Sequence, residues 1–417
     1  MVASVSRRRF LGGSAAAVLS TAAGTSVLAG SAFAGCSEDA GAAQERPQRL
    51  PFEGVHQQGI TTPAPEHAIV VAFRCVAPDA AALQVVLRTL TIEARDLMSG
   101  AVAPMLDPLL PPADNLIVGV QPPPDDLTIT VGVGATLFDD RYGLAPQQPK
   151  QLIKMPTFPN DKPDPARLHG DLLVQICAGT PEMCNHALRR VMRSTRDALV
   201  LQWMLPGFSQ RNTLGAGRAS QRNLLGFKDG TANPDHGASG LMDDLVWVGA
   251  NDGEPVWCVG GSYQAVRLIR NRVEFWDRTP LRTQETIIGR DKGTGAPLGM
   301  VSETDIPDFT ADANGKQFRL DGHIRLANPR TSGTEKNRIL RRGFNYSAGF
   351  DEAGQLDQGL LFICFQRSLE DGFMAVQNRL NGEALEEYIT PFGGGLFFAL
   401  PGVTTSTGAF GDVLFGK

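Results

Sequence analysis

Leu172–Met192 reads LLVQICAGTPEMCNHALRRVM, and Leu360–Leu380 reads LLFICFQRSLEDGFMAVQNRL. Both segments open with two leucines, carry a cysteine late in an apolar run, and begin a helical pattern at the same offset. Each therefore predicts a buried strand that leads into an amphipathic helix. Two such segments indicate an internal duplication, so we predict an α+β fold of two similar halves packed sheet to sheet, rather than a parallel α/β fold.

The chain around the first segment completes one of these halves. HAIVVAFRCVA (67–77) predicts a buried strand, and a helix follows with Asp79 as its N-cap. Two more strand-like runs, NLIVGVQ (115–121) and LTITVGVG (127–134), precede the quoted segment, and ALVLQWML (198–205) closes the half as a strand. We predict the order β-α-β-β-α-β, a ferredoxin-like unit with helices on one face of an antiparallel sheet, which the strand-like runs exceed by one.

The second half is predicted to repeat this order. PVWCVGGSYQAVRLIRNRVEFWDR (255–278) predicts a strand that leads into a helix, as the second quoted segment does. This organisation predicts four parts of the chain. Residues 1–34 are an export signal and residues 35–65 an N-terminal segment of the mature chain. Residues 66–223 form a first ferredoxin-like half, and residues 224–417 form a second.

The first 34 residues have the layout of a cleavable export signal. SRRRFL (6–11) fits the twin-arginine pattern, whose transporter moves cargo that has already folded and often carries a cofactor, and an apolar Gly/Ala/Ser-rich stretch follows. A membrane anchor is the alternative, but the apolar run is interrupted and short for a spanning helix of roughly 20 residues. Cleavage is expected after Ala34. Lipidation of Cys36 is not expected, because Phe33 stands where a lipoprotein signal usually has an aliphatic residue. We therefore expect an extracellular, periplasmic or cell-envelope-associated protein.

Charge and cysteine content exclude several classes of protein. Residues 1–34 contain three arginines and no acid, so their removal takes the formal net charge from −5 to −8. A mildly acidic chain argues against nucleic acid as a partner. The six cysteines, at positions 36, 75, 177, 184, 258 and 364, form no CxxC pair and no CxxCH motif. No disulfide framework, zinc site or iron–sulfur cluster is predicted.

Few residues are candidates for chemistry. GFKDGTANP (226–234) is a turn-rich loop with one carboxylate, Asp229, which by itself is typical of a turn former. Of the six histidines, His323 stands apart in DGHIRLANPR, after the long irregular stretch 289–316 and ahead of RILRRGFNY (338–346). A lone histidine is more often structural than a ligand, and no HExxH, three-histidine or GxSxG pattern offers a competing site. Spacing alone leaves both readings of His323 open.

Three of these motifs, in order, resemble a known family. GFKDGTANP, HIRLANPR (323–330) and RILRRGFNY are similar to motifs of the dye-decolourising (DyP-type) haem peroxidases. VEFWDRTPLRTQETIIGRDKGTGAPL (273–298) and FEGVHQQGITTP (52–63) resemble other stretches of that family. With the export signal, they resemble its exported branch, which includes periplasmic iron-uptake peroxidases. The resemblance implies the dimeric α+β barrel type of fold, with antiparallel sheets enclosing one haem b per chain and the second half binding it.

The resemblance also implies how haem is held. His323 is expected to bind the iron through Nε2 as an axial ligand, and a carboxylate to bond its other ring nitrogen. The carboxylate that matches is Glu387, with neighbouring Glu386 as the alternative. Further haem contacts are implied for Gly230, Thr231, Ala232, Asn328, Pro329, Arg330 and Arg341.

On the peroxide side, the resemblance implies two catalytic residues. Asp229 is expected to move the proton between the peroxide oxygens, and Arg341, rather than adjacent Arg342, to stabilise the charge that develops. A carboxylate near an arginine has a pKa at or below about 4 and can act as a base in acid, so we predict an acidic pH optimum for dye oxidation.

The predicted function is peroxide-dependent oxidation of organic donors such as dyes and phenols. The alternative is a haem- or iron-handling protein of an uptake system, which oxidises ferrous iron or releases iron from haem and has permease components as partners. A third alternative is a ferredoxin-like binding module without haem. An oligomer is compatible with the sequence, and the residues do not identify the donor or an electron path through tyrosine or tryptophan.

Overall fold

The computed structural model describes residues 47–102, 104, 107–210 and 221–416. The predicted export signal and Cys36 lie outside these residues, so both stay predictions. Within the described ranges, no helix is long and apolar enough to cross a membrane.

The first half has the predicted order β-α-β-β-α-β. Its elements are β1 (His67–Cys75), α1 (Ala80–Ser99), β2 (Thr128–Gly134), β3 (Leu172–Ala178), α2 (Pro181–Ser194) and β4 (Leu199–Phe208). The predicted N-cap of α1 is confirmed, because the Asp79 side chain accepts a hydrogen bond from the Ala82 amide at 2.8 Å. The helix ends at Gly100, whose φ of 68° is a left-handed conformation that suits glycine.

The strand predicted at 115–121 is wrong. Leu116 has a φ of 54°, outside the strand region. The backbone amides of Leu116 and Ile117 donate to the side chains of Asp114 and Asn115 at 2.7 and 3.0 Å. Local side-chain turns of this kind replace the hydrogen bonds of a sheet, which explains why an apolar run forms a loop here.

The second half begins with a two-stranded ribbon and then contributes five strands to the main sheet. Its elements are β5 (Gln221–Arg222), β6 (Lys228–Asp229), α3 (Ser239–Leu245), β7 (Ser262–Asn271), α4 (Val273–Trp276), α5 (Leu281–Ile288), α6 (His323–Ala327), β8 (Leu340–Arg341), β9 (Phe344–Phe350), β10 (Leu356–Gln366), α7 (Ala375–Leu380) and β11 (Ile389–Ala399). The second quoted segment forms β10, a π-helical turn and α7, as predicted.

Strands of both halves join in one antiparallel sheet. Within the described chain it has nine strands, in the order β7-β11-β2-β3-β1-β4-β9-β10-β8, and a further pairing of β7 with β10 closes it into a barrel. The halves meet where β11 pairs with β2 and where β4 pairs with β9. The described residues from 47 onward form one compact unit, and the division between 223 and 224 stays a prediction.

The barrel has a packed interior and two covered outer faces. Val70, Leu173, Val266 and Leu361 belong to the interior core. On the outside of the first half, α2 packs on β1 and β3, and α1 packs on α2 and β2. Because successive side chains on a strand point to opposite faces, the neighbour of Val266, Arg267, points outward on the second half. The outer face of β7 and β10 is covered by helices and loops of the second half, and a cavity lies between these layers.

Candidate active site

The cavity on the outer face of the second half has a volume of about 270 Å³. Three side chains predicted for chemistry line it together: Asp229, His323 and Arg341. Five predicted haem contacts also line it: Gly230, Thr231, Ala232, Asn328 and Arg330. Pro329 and Glu387, which the resemblance implies as well, are not among the lining residues.

Asp229 is held at the end of a short ribbon. β6 pairs with β5, and Gly230 then turns the chain with a φ of 111°, which glycine tolerates. The two residues that flank this acid and its glycine, Lys228 and Thr231, both bind the Glu303 carboxylate. Lys228 forms an ion pair with one oxygen, and the Thr231 hydroxyl donates to the other at 2.8 Å. The long loop that contains Glu303 therefore supports the turn that carries Asp229.

Arg341 forms an ion pair with Asp229, in which Nη1 donates to Oδ1. Its strand, β8, pairs with β10. Arg342 points away from Asp229 and donates to the backbone carbonyls of Thr62 and Pro63 in the N-terminal segment. The structure therefore brings Arg341, and not Arg342, to the acid.

The environment of Asp229 favours its charged form. Burial by itself would raise the pKa of this carboxyl. The charge and hydrogen bond of Arg341, the charge of His323 and a hydrogen bond from Asn223 outweigh burial, so the pKa lies below its usual value of 3.8. The side chain is 19% exposed, which leaves the carboxylate accessible from the cavity. The Asp229 carboxyl is therefore ionised at neutral pH.

His323 is the first residue of α6, and its ring is oriented by a carboxylate. Nδ1 lies 2.6 Å from Oε2 of Glu383, whose side chain is only 4% exposed. Burial by itself would lower the pKa of His323, but the charge and hydrogen bond of Glu383 outweigh it and raise that pKa. Nε2 has no hydrogen-bond partner among the residues that the structure describes, so this nitrogen is available to a ligand in the cavity.

The expectation that Glu387, or Glu386, bonds His323 is wrong. Residues Ala384–Glu387 form a 3₁₀ turn in which Glu387 is exposed, and Glu386 accepts a hydrogen bond from the Gly382 amide at 3.0 Å. Glu383 comes immediately before this turn and points inward. The sequence places three glutamates within five residues, and only the path of the backbone distinguishes them.

α6 has five residues, too few to be stable alone, and two arginines hold it. Arg379 donates to the carbonyls of its last two residues, Leu326 at 3.0 Å and Ala327 at 3.2 Å. Arg325 donates to the carbonyls of Asp312 and Phe318 at 2.9 and 3.0 Å. The histidine is thereby carried on a fixed segment although the helix is short.

The cavity fits an iron porphyrin. Ile269, Leu360 and Phe362 give it an apolar wall, and His323 offers a nitrogen ligand. Arg330 and Arg338 also line it, and neither guanidinium has a hydrogen bond or ion pair with another described residue. Burial and the charge of Arg338 lower the pKa of Arg330. Two neighbouring arginines that have no acidic partner within the described ranges suit a ligand that carries carboxylates.

Comparison with known proteins identifies the family. The family model "Dyp-type peroxidase, N-terminal" matches residues 57–209, and "Dyp-type peroxidase, C-terminal" matches residues 220–404. The chain belongs to the DyP-type peroxidase family. Members of this family are haem b enzymes that oxidise donors with peroxide. The predictions of the family, of its α+β barrel fold, of a peroxide-dependent oxidoreductase and of haem b as the cofactor are confirmed.

Individual DyP-type relatives and solved structures agree with this assignment. The chain is 54% identical to the deferrochelatase of Escherichia coli K12 over 371 residues, which cover 88% of each protein. The oxyferrous complex of DtpA from Streptomyces lividans is 34% identical with a TM-score of 0.79, and covers 88% of this chain and 98% of its own. The DyP-type peroxidase from Cellulomonas bogoriensis is 32% identical with a TM-score of 0.78 and the same coverage.

Proposed function

We propose that Asp229 and Arg341 carry the peroxide chemistry of this DyP-type peroxidase and that His323 is the axial ligand of its haem. The observation that supports these roles is that two pairs, Asp229–Arg341 and His323–Glu383, line one cavity. An acid paired with a cation, beside an oriented imidazole, matches the needs of peroxide cleavage.

Several residues of the chain hold the cofactor in this proposal. Nε2 of His323 binds the iron, and Glu383 keeps Nδ1 as the hydrogen-bonded nitrogen of the ring. Arg330 and Arg338 pair with the two carboxylates of the porphyrin. Haem iron, when bound, supplies a redox-active metal that takes up the oxidising equivalents of peroxide.

The acid and the cation have separate tasks. The Asp229 carboxylate takes the proton from one oxygen of hydrogen peroxide and delivers it to the other oxygen, which leaves as water. The Arg341 guanidinium stabilises the negative charge that develops on the departing oxygen. Two organic donors, such as phenols or dyes, then give one electron and one proton each, so that peroxide ends as two water molecules.

The roles are tested by stopped-flow spectroscopy of purified holoprotein mixed with hydrogen peroxide. Asp229→Ala and Arg341→Ala are expected to slow the spectral change, with the larger loss in Arg341→Ala, and His323→Ala to lose iron ligation. Asp235→Ala is the matched control, because Asp235 lies in the same loop but is exposed and does not line the cavity. Wild-type rates in both Asp229→Ala and Arg341→Ala would contradict the assignment.

Export through the twin-arginine pathway is part of the proposal. The support is the SRRRFL sequence at residues 6–11 and the apolar stretch after it. Replacing Arg7, Arg8 and Arg9 by lysine is expected to leave holoprotein in the cytoplasm on cell fractionation. Export of that variant at the wild-type level would contradict this pathway.

A second candidate function is iron handling, in which the protein releases iron from haem or oxidises ferrous iron for an uptake permease. The support is the 54% identity to a protein named deferrochelatase. The test is anaerobic incubation of haem-loaded protein with a ferrous chelator, followed by porphyrin fluorescence. Metal-free porphyrin in proportion to chelated iron would support this function, and intact haem with no released iron would count against release. Faster oxidation of ferrous iron than of dyes would favour the oxidase role.

A further inference from the structure

Arg341 lies on the open edge of the sheet. β8 is the last strand in the sheet order and pairs only with β10 among the described strands. The amide of Arg342 donates to the Ile363 carbonyl at 2.8 Å, so the backbone groups of Arg342 face β10. In an antiparallel pair, the backbone groups of the preceding residue face the other side. The amide and carbonyl of Arg341 therefore point away from the sheet.

Asn233 fills this open edge. Its Nδ2 donates to the Arg341 carbonyl at 2.8 Å, and its Oδ1 accepts from the Arg341 amide, also at 2.8 Å. One side-chain amide thus makes the two hydrogen bonds that a neighbouring strand residue would make, across 108 residues of chain. An edge strand of two residues has little other support.

The same asparagine belongs to the loop that carries Asp229. Asn233 follows the acid by four residues, and its backbone amide donates to the Gly230 carbonyl at 2.8 Å, which closes the turn between them. Pro234, the next residue, is buried. One compact turn therefore carries Asp229 at its start, and Asn233 at its end hydrogen-bonds the backbone of Arg341.

We propose that Asn233 is a positioning residue for the peroxide reaction, which places the Arg341 guanidinium against the Asp229 carboxylate. This inference rests on the proposed roles of Asp229 and Arg341. Arginine is a long side chain with many rotamers, so its ion pair with Asp229 leaves its backbone free to shift. Misplacement of a reacting group by about 1 Å can cost about 100-fold in rate. The two bonds from Asn233 remove this freedom.

The side-chain amide of Asn233 is suited to this contact with the Arg341 backbone. Asparagine offers one donor and one acceptor side by side, which matches the carbonyl and amide of Arg341. Aspartate keeps the shape and the acceptor but has no donor when ionised, and alanine has neither. A graded loss is therefore expected in the order Asn233, Asn233→Asp, Asn233→Ala.

The test is a double-mutant cycle on holoprotein, with the bimolecular rate constant for hydrogen peroxide measured by stopped flow. Asn233→Ala is expected to lower this rate constant about 10-fold. This corresponds to a loss of about 1.4 kcal/mol when the two hydrogen bonds to the Arg341 backbone are removed. In an Arg341→Ala background, Asn233→Ala is expected to have no further effect. The acid limb of the pH profile is expected to move to higher pH in Asn233→Ala, because Arg341 no longer holds down the pKa of Asp229.

Asn115→Ala is the matched control. Asn115 also accepts from a backbone amide, that of Ile117 at 3.0 Å, and donates to a backbone carbonyl, that of His186 at 3.2 Å, but it lies in the first half. Its rate constant is expected to equal that of the wild type. If Asn233→Ala does not fold with haem, Asn233→Asp is used for the same cycle.

The outcomes separate the two proposals. A normal rate in the Asn233 variants, together with a slow Arg341→Ala, would overturn the positioning role and leave the proposed function intact. An equal loss in both backgrounds would overturn it too, because the effect would then not act through Arg341. Wild-type rates in both Arg341→Ala and Asp229→Ala would overturn the proposed function and this inference with it.

Discussion

Nδ1 of His323 lies 2.6 Å from a carboxylate oxygen of Glu383, a residue 60 positions later in the chain. The carboxylate is buried, so its hydrogen bond is not weakened by competing water. The bond orients the ring and makes its other nitrogen a stronger donor to a metal. With His323 as the proposed axial ligand, Glu383 is expected to influence the haem iron, although it lies in none of the motifs that resemble the family.

Replacement of this carboxylate is the first prediction. Glu383→Gln is expected to raise the reduction potential of the haem and to slow the reaction with peroxide about 10- to 100-fold, because a neutral amide polarises the imidazole less. Spectroelectrochemistry and stopped flow measure the two effects. Glu387→Gln is the control, since Glu387 is exposed and is expected to change neither quantity. An unchanged potential in Glu383→Gln would contradict the role given to this bond.

The pH profile of the peroxide reaction is the second prediction. In the proposed mechanism Asp229 is the ionised base, so the rate is expected to fall only as the pH drops through the pKa of this group, which is lowered from its usual value of 3.8. In Arg341→Ala, burial of the carboxyl is no longer opposed by the guanidinium, and the acid limb is expected to move to higher pH. The rate constant is measured between pH 3 and 7 on protein shown to be folded by circular dichroism. An acid limb in Arg341→Ala at or below the wild-type position would refute this explanation.

The third prediction concerns the end of α6. Arg379→Ala removes the hydrogen bonds to the Leu326 and Ala327 carbonyls and is expected to speed haem loss about 10-fold, from about 1–2 kcal/mol of lost support. Transfer of haem to an apomyoglobin acceptor measures this rate. Arg278→Ala is the control, because Arg278 also donates to a backbone carbonyl, that of Glu274, but on the exposed surface. Equal haem loss in both variants would count against a specific role for Arg379.

The fourth prediction concerns the loop that supports the Asp229 turn. Glu303→Ala removes the partner of Lys228 and Thr231, and about 1–3 kcal/mol of interaction is expected to be lost. Hydrogen exchange is expected to rise in residues 226–234, and the peroxide reaction to slow several-fold. Asp305→Ala is the control: Asp305 caps a turn of the same loop and does not contact residues 226–234 through any described hydrogen bond. Unchanged exchange at residues 226–234 in Glu303→Ala would contradict the support role.

Much of the fold could be predicted from the sequence because its signals are local. The start of α1 at Asp79 and its end at Gly100 follow from capping rules, and the apolar runs of β1 and β3 follow from burial on both faces. The wrong strand prediction at 115–121 also came from a local signal, because the apolar run there is typical of a strand. Side-chain turns from Asp114 and Asn115 decide that segment, and composition does not display them.

The site residues that lie in motifs resembling the DyP-type family could be predicted from the sequence. Asp229, His323 and Arg341 line one cavity, as the motifs imply, whereas Glu383 was missed because three nearby glutamates differ only in backbone direction. Asn233 lies in a quoted motif, yet its contact with Arg341 spans 108 residues and leaves no periodic signal. Contacts of this kind are set by how distant strands and loops meet, which single-sequence patterns do not encode.

The position of β11 has a consequence for biosynthesis. This strand is the last of the described chain to be translated, yet it lies between β7 and β2 and pairs with both. A nascent chain that still lacks residues 389–399 has a gap in its sheet, and Glu383 leaves the ribosome only shortly before them. Stable capture of haem is therefore expected to follow, rather than precede, the synthesis of this strand.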